Sequence, residues 1–431
     1  MLHRDMRMRY PLTRIFLAPL VLGVSRAASA EMLPSFFQEG VPGYDTQDGV
    51  TVQSRLHPDQ APLGLRAGAF QVFPSLTEGF GYNSNVLAGS PGRGSWQVVT
   101  EPALNVASDW SRDAFGAAAS VQNIQYLSLP SQDRTNAALS AGGRADIGQD
   151  QFTLAFAHLS GHEDRGQIDS LPSDQPIAFQ LDDVRASYTW TGGRWSLVPA
   201  AQASHWTYDP TTIMGVPASQ SYRDRVVAQG SVTLRYEWAP LRNLLFVVRA
   251  LNQDYTRTPA AQPTPNSSAF QALAGFDYDD NAVWRWRVLV GGESRQFASS
   301  LYAQQNTVIA EAGVTWVPSG DTSVGAILSR ETGDAAQEGV SGLTYTAARL
   351  TIDHECLRNL LVKASLGLQR ANFFQGGYQV AGTGGIGLVW VMNRSMRVSF
   401  TYDQTRLQSS QGQPVPGYTG GLGLIAFRIG L

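Results

Sequence analysis

Apolar and polar residues alternate with period two along most of the chain, most plainly in the stretch Tyr222 to Leu251. Val226, Ala228, Gly230, Val232, Leu234, Tyr236 and Trp238 fall on one face of an extended chain, and Arg225, Gln229, Ser231, Thr233, Arg235 and Glu237 on the other. After Ala239-Pro240-Leu241-Arg242-Asn243 the alternation restarts, with Leu244, Phe246, Val248 and Ala250 opposite Arg249 and Gln253. This predicts a hairpin of long strands. Each exceeds the roughly 5 to 6 residues usual in globular sheets and reaches the roughly 9 to 11 that a tilted strand needs to cross a bilayer.

The same pattern predicts about eighteen strands. Trp96, Val98, Thr100, Pro102, Leu104 and Val106 oppose Gln97, Glu101 and Asn105; Val184, Ala186, Tyr188 and Trp190 oppose Asp183, Arg185 and Thr189; Ile425, Phe427, Ile429 and Leu431 oppose Arg428. The first strand, Phe70 to Tyr82, is ambiguous, because Pro74 suggests a bulge or an interruption. Short connections (Ser108 to Asp113, Gly148 to Gln151, Thr191 to Arg194, Ala239 to Asn243, Asp279 to Ala282, Pro318 to Asp321, Glu355 to Asn359, Met392 to Ser395) alternate with longer ones, including Gly161 to Pro176, Asp209 to Ser221, Thr256 to Ser267, Thr332 to Ser341 and Gln404 to Gly417. The fold expected is all-β: a single transmembrane antiparallel up-and-down barrel with short periplasmic turns and longer extracellular loops, in the bacterial outer membrane.

Tryptophan placement agrees. Trp110, Trp190, Trp195, Trp238, Trp284, Trp286, Trp316 and Trp390 cluster near the short turns, as an aromatic girdle at one interface requires. Tyr82, Tyr126, Tyr222, Phe270, Tyr378 and Tyr418 sketch a second girdle.

Composition is consistent with strands in lipid. Charged residues are 16% of the chain, against about 25% in soluble domains, yet mean hydropathy is only -0.16 because polar positions alternate with apolar ones. A net charge of -3 carries no basic bias for nucleic acid, and Cys356 stands alone, without a disulfide or metal-site partner. Residues 1–30 read as a signal peptide: Arg4, Arg7, Arg9 and Arg14 precede the apolar run Ile15 to Val24, and Ala28-Ser29-Ala30 allows cleavage before Glu31. Residues 31–66, rich in Pro, Gly, Asp and Gln, read as a periplasmic arm or partial plug, and 67–431 as the barrel.

Candidate chemistry is thin. His162-Glu163-Asp164 in a long loop and His354-Glu355-Cys356 at a short turn lack a nucleophile or ligand spacing, so neither an enzyme nor a cofactor is expected. The polar face is more informative. It puts Glu101, Arg144, Arg185, Arg225, Arg235, Arg249, Arg285, Arg287, Glu293, Glu311, Arg349, Asp353, Lys363, Arg397 and Arg428 on the lumen, with the two signs nearly balanced. Such charges either knit the wall by cross-strand pairs or, if segregated into arcs, select solutes. Aromatic residues are sparse in this phase, Tyr255 and Tyr345 being the best candidates.

The segment Val50 to Val86 resembles the opening of the outer-membrane beta-barrel porin family of Gram-negative bacteria. Arg55 and Pro58, the run Leu63 to Phe70, Pro74, and Tyr82 with Asn85 and Val86 carry the likeness, which continues weakly along the barrel. One departure is the terminal Leu431, where many barrels end in Phe or Trp for the assembly machinery. The resemblance implies an outer-membrane barrel, and some relatives are associated with exopolysaccharide export. The expected function is therefore a passive channel for small hydrophilic solutes. The alternatives are an exopolysaccharide export channel served by a periplasmic export protein, and a structural envelope barrel without transport. Outer-membrane lipid and the barrel assembly machinery are the other expected partners.

Overall fold

The computed structural model describes residues 41–44, 52, 60–259, 262–280 and 283–431. The expected signal peptide and most of the expected N-terminal arm lie outside the described residues. The described chain forms eighteen long strands: β1 (Phe70–Asn83), β2 (Ser95–Ser108), β3 (Ala114–Tyr126), β4 (Arg134–Ile147), β5 (Asp150–Glu163), β6 (Ile177–Gly192), β7 (Trp195–Tyr208), β8 (Arg225–Ala239), β9 (Arg242–Tyr255), β10 (Ser267–Asp280), β11 (Trp284–Phe297), β12 (Gln305–Ser319), β13 (Thr322–Gly333), β14 (Leu343–Leu357), β15 (Leu360–Phe373), β16 (Tyr378–Val391), β17 (Met396–Ser409) and β18 (Tyr418–Gly430). Each pairs antiparallel with its sequence neighbours, and β1 pairs with β18 from Ser75↔Gly430 to Asn83↔Leu422, which closes the barrel. Closure leaves the long ladder without a free edge. Among the described residues no helix is long and apolar enough to cross a membrane.

Pro74 does not interrupt β1. It lies one residue below the first β1–β18 pair, where β18 has nearly ended, and only its carbonyl is used, accepting the Leu431 N–H at 3.1 Å. A missing N–H costs little at that place. At the other extreme, Pro102 sits mid-strand, and the β2–β3 ladder skips from Thr100↔Asn123 to Ala103↔Ser120. The two-residue turn between β8 and β9 takes its reversal at Leu241, in the left-handed region at φ 64°. Several strands run past the expected loop boundaries, β5 to Glu163 and β17 to Ser409.

The outward face carries the apolar residues: Val232, Phe246, Val290, Leu366, Ile386 and Ile425 are all well exposed. Buried apolar clusters lie inside instead: Leu245, Val247, Leu273, Leu289 and Ile309 form one midway along β9–β12, and of those toward the long-loop end two span the barrel. One joins Leu159, Phe179, Leu181, Trp206 and Tyr208 of β5–β7 to Val41 and Tyr44 and to Ala336 from the loop after β13. The other joins Leu343, Tyr345, Phe373 and Leu407 of β14–β17 to Ile168 from the loop after β5. Each loop thus packs against the wall from which the other arises.

Candidate functional site: the bore and its outer mouth

Long-range contacts fix which phase faces inward. Arg225, at the start of β8, meets Asp334, just after β13, with Nε to Oδ2 at 2.9 Å, and Arg295 of β11 approaches the same carboxylate at 3.6 Å. Strands that far apart can meet only across the interior, so the odd-numbered positions of β8 and β11 line the bore.

Most lumen candidates pair within the wall. Arg185 bonds Asp183 at 2.8 Å, Arg235 bonds Asp277 at 2.8 Å, Arg249 meets Glu311 at 2.5 Å, Glu293 holds Arg295 at 3.0 Å, and Arg144 lies 3.4 Å from Asp146. Glu101 accepts from Gln122 at 2.9 Å. Asp353 and Lys363 are direct register partners, Arg287 stands opposite Asp277, and Arg285 lies between the positions of Asp279 and Thr315. Arg349 sits between Ile327 and Gly367. Arg397 and Arg428 are the exception, like charges side by side near the short-turn end, Arg428 donating to Ser75 at 2.9 Å. The signs do not segregate into arcs. Pairing at this spacing stabilises a sheet face and neutralises these charges locally, beside an apolar inward patch of Leu245, Val247, Leu273, Leu289 and Ile309.

The outer mouth is built by two loops. Residues 164–176 and 334–342 enter the bore from opposite walls and meet where the Ala336 N–H donates to Asp169 Oδ2 at 2.6 Å. The Asp169 N–H donates onward to Gln379 Oε1 of β16 at 2.7 Å, and the Tyr418 hydroxyl donates to the Gly166 carbonyl at 2.8 Å. Tyr222 closes the ring by donating to the Ala336 carbonyl at 2.7 Å. Burial raises the Asp169 carboxyl to about 8, outweighing the downward pull of the Ala336 N–H and of Arg223. Beside it, Glu163 and Arg223 make a buried two-pronged ion pair.

Sequence reasoning missed the aromatic stack behind this mouth. Phe179 and Trp206 stack at 5.7 Å, and Tyr208 lies 5.9 Å from Phe179. Arg223 sits 4.0 Å over the Tyr208 ring and Arg225 5.1 Å from that of Trp206. The even phase of β7 already placed Trp206 and Tyr208 together, and pairing with Arg225 puts that phase inside. Deeper in, the Tyr44 hydroxyl donates to Asp183 Oδ1 at 2.9 Å and Arg185 covers its ring at 4.7 Å. Gly142 and Gly43 permit this: a Cβ on Gly142 would stand 1.9 Å from the Pro42 carbonyl oxygen.

The tryptophans expected to form a girdle lie at the short-turn ends of their strands. Trp110, Trp190, Trp195, Trp238, Trp284, Trp316 and Trp390 are exposed, Trp284 stacks on Trp316 at 5.2 Å, and Trp286 leans on Tyr278. The second girdle is only half as expected. Tyr82, Phe270 and Tyr378 are exposed, with Trp96 beside Tyr82, but Tyr126, Tyr222 and Tyr418 turn inward to serve the loops. His162 and Glu163 end β5 and do not lie in a loop; Asp164 pairs with Arg134 at 2.5 Å, and the three neighbours diverge. His354 lies in β14 and bonds Thr322 at 2.9 Å. Among the described residues no group of His, Cys, Asp and Glu could hold a metal ion.

A family model described as Putative beta-barrel porin 2 matches residues 57–417. No curated protein matches the sequence. Solved structures similar in fold include the outer membrane protein OpdK of Pseudomonas aeruginosa (9% identity, TM-score 0.46, covering 84% of this chain and 99% of that one). OccAB3 of Acinetobacter baumannii (8%, 0.44, 85% and 100%) and the ferric-catecholate import receptor Fiu of E. coli K12 (7%, 0.44, 83% and 81%) are also similar. With a match over most of its length and a closed eighteen-stranded barrel, the chain belongs to the Putative beta-barrel porin 2 family and is a porin-like barrel of the bacterial outer membrane.

Proposed function

We propose that the protein passes small hydrophilic solutes through its bore and performs no catalysis of its own. The observation that carries this reading is the mouth itself: a charge-paired wall leads to a constriction where loops 164–176 and 334–342 meet at Asp169 and Ala336. An opening narrowed by crossed loops favours small solutes over a bulky polymer. The purified protein in planar bilayers is expected to give stable conductance steps. Asp334→Ala, which releases the second loop from Arg225 and Arg295, is expected to enlarge them. A bilayer that stays silent with both the wild type and a variant lacking residues 31–66 overturns the reading and leaves an envelope barrel without transport.

Export of an exopolysaccharide has one observation in its favour, the Phe179–Trp206–Tyr208 stack, since sugar rings pack on aromatic faces. Those rings are buried beneath the loops. The reading therefore requires the mouth to open. Loss of secreted polymer on deletion of the gene would support it, and unchanged polymer would remove it.

A further inference from the structure

On the outside of the barrel, Arg330, Arg370 and Arg406 each stand three residues below the extracellular end of their strands, at Gly333, Phe373 and Ser409. They share the outward phase of Leu328, Leu368 and Tyr402. In the ladder Arg330 and Arg370 flank Thr346 in one row, and Arg406 lies two strands on, in the row of Gly382 and Leu368. At about 4.8 Å per strand and 3.4 Å per residue, successive arginines are roughly 10 to 12 Å apart. No Asp or Glu takes the outward phase on β13–β17: Glu331, Asp353, Glu355 and Asp403 all fall on the other one.

Two of the guanidinium groups are held in place. Arg330 donates to Thr346 Oγ1 at 2.9 Å and to the Val308 carbonyl at 3.0 Å; Arg370 donates to Asn372 Oδ1 at 3.0 Å and lies 5.0 Å from the Tyr378 ring centre. Each has five N–H donors, so these bonds leave others for a ligand. Toward the membrane centre the outward positions Ala326, Ala348, Gly382 and Gly384 carry almost no side chain, while Leu366 and Leu368 stand proud beside them. They form an open groove of about 690 Å³ that ends at Gln404 and Arg406. A Cβ on Gly382 would meet nothing within 4 Å.

We propose that this face binds the phosphorylated, multiply acylated glycolipid of the outer leaflet. Its phosphates lie on Arg330, Arg370 and Arg406, and an acyl chain lies in the groove over Gly382 and Gly384. Guanidinium forks match phosphate oxygens in pairs, and a basic cluster at the headgroup level selects anionic lipid. The barrel carries its own control. A second outward groove of about 710 Å³, floored by Ala228, Gly230 and Ala250, ends in the uncharged Asn252, Ser268 and Ser294. It has the apolar shape without the arginines.

The test is a titration of the purified full barrel in zwitterionic detergent with diphosphoryl lipid A, read by native mass spectrometry. Folding of each variant is checked by its heat-dependent gel mobility. Arg370→Glu with Arg406→Glu is expected to weaken binding roughly tenfold or more, since each basic residue near a membrane surface contributes on the scale of a single-charge lipid contact. Gly382→Leu, which fills the groove and leaves charge unchanged, is expected to weaken it too. Asn252→Glu in the control groove is expected to leave it as in the wild type. Wild-type affinity in the folded double variant overturns the proposal. So does full competition by inorganic pyrophosphate, which would make the arginines a site for free phosphate with no seat for the lipid.

Discussion

Ser231 and Val232 share backbone, depth and turn, yet one lines a cavity beside Gly43 and Arg185 inside the bore and the other stands 44% exposed on the lipid side. An arginine on the lipid face near the midplane costs about 2 to 4 kcal/mol, whereas in a water-filled lumen it costs little. Val232→Arg should therefore lower the yield of folded barrel, read by heat-dependent gel mobility, while Ser231→Arg should fold and change only conductance. Equal damage from both would mean the phase of β8 is inverted. That phase was legible in the sequence because period two leaves no ambiguity once one face is apolar. What the period does not carry is cover. Tyr126, Tyr222 and Tyr418 look like interfacial tyrosines by position, but the Tyr222 and Tyr418 hydroxyls bond loop carbonyls far away in the chain, at Ala336 and Gly166, and Tyr126 is buried against loop residues Val86 and Leu87. The Phe179–Trp206–Tyr208 stack was hidden for a related reason, since its members lie on two strands and only the register of β6 against β7 brings them together.

At the scale of the element, the loops that close the mouth turn on one buried carboxyl. Asp169 is held at φ 62°, and burial raises its carboxyl from an ordinary value to about 8. In an opened mouth the same group meets water and returns to about 4. Between those values the open state has lost a proton that the closed state keeps, so closure is favoured at low pH and weakens as pH rises through the window. Conductance should accordingly increase from about pH 5 to about pH 8. Asp169→Asn keeps an oxygen for the Ala336 N–H but cannot ionise, so this dependence should disappear. A variant with the wild-type pH profile would place the titration elsewhere than on Asp169. None of this could be read from the loop sequence. Loops 164–176 and 334–342 carry no periodicity, and their pairing depends on the barrel holding opposite walls at one fixed distance.

At the scale of the whole molecule, strand number and closure followed from eight short turns alternating with longer loops, a local signal repeated around a ring. The contents of the ring did not. The described points of the N-terminal segment touch the wall at three separated places: Tyr44 on Asp183 of β6, the Val52 N–H on Ser323 Oγ of β13 at 3.3 Å, and Gln60 on the Arg358 carbonyl at 2.6 Å. β6 and β13 are seven strands apart in a ring of eighteen, which puts the first two anchors on nearly opposite walls. Tyr44 and Val52 therefore reach into the bore from nearly opposite walls, as candidates for an inner obstruction. Current through a water-filled pore follows its narrowest section, so Tyr44→Ala should raise single-channel conductance only if the inner obstruction, and not the loop mouth, limits flow. Removing residues 31–60 then sets the upper bound for that contribution. If the arm is limiting, both changes should raise conductance, the deletion by roughly twofold or more, and Asp334→Ala should add little to either. If the mouth is limiting, the deletion should be almost silent by itself and become visible only with Asp334→Ala. Measured together in one bilayer series, the single and combined variants assign the resistance of the pore to one end or the other. No change in any combination would mean that neither the arm nor the crossed loops stand in the path of the ions.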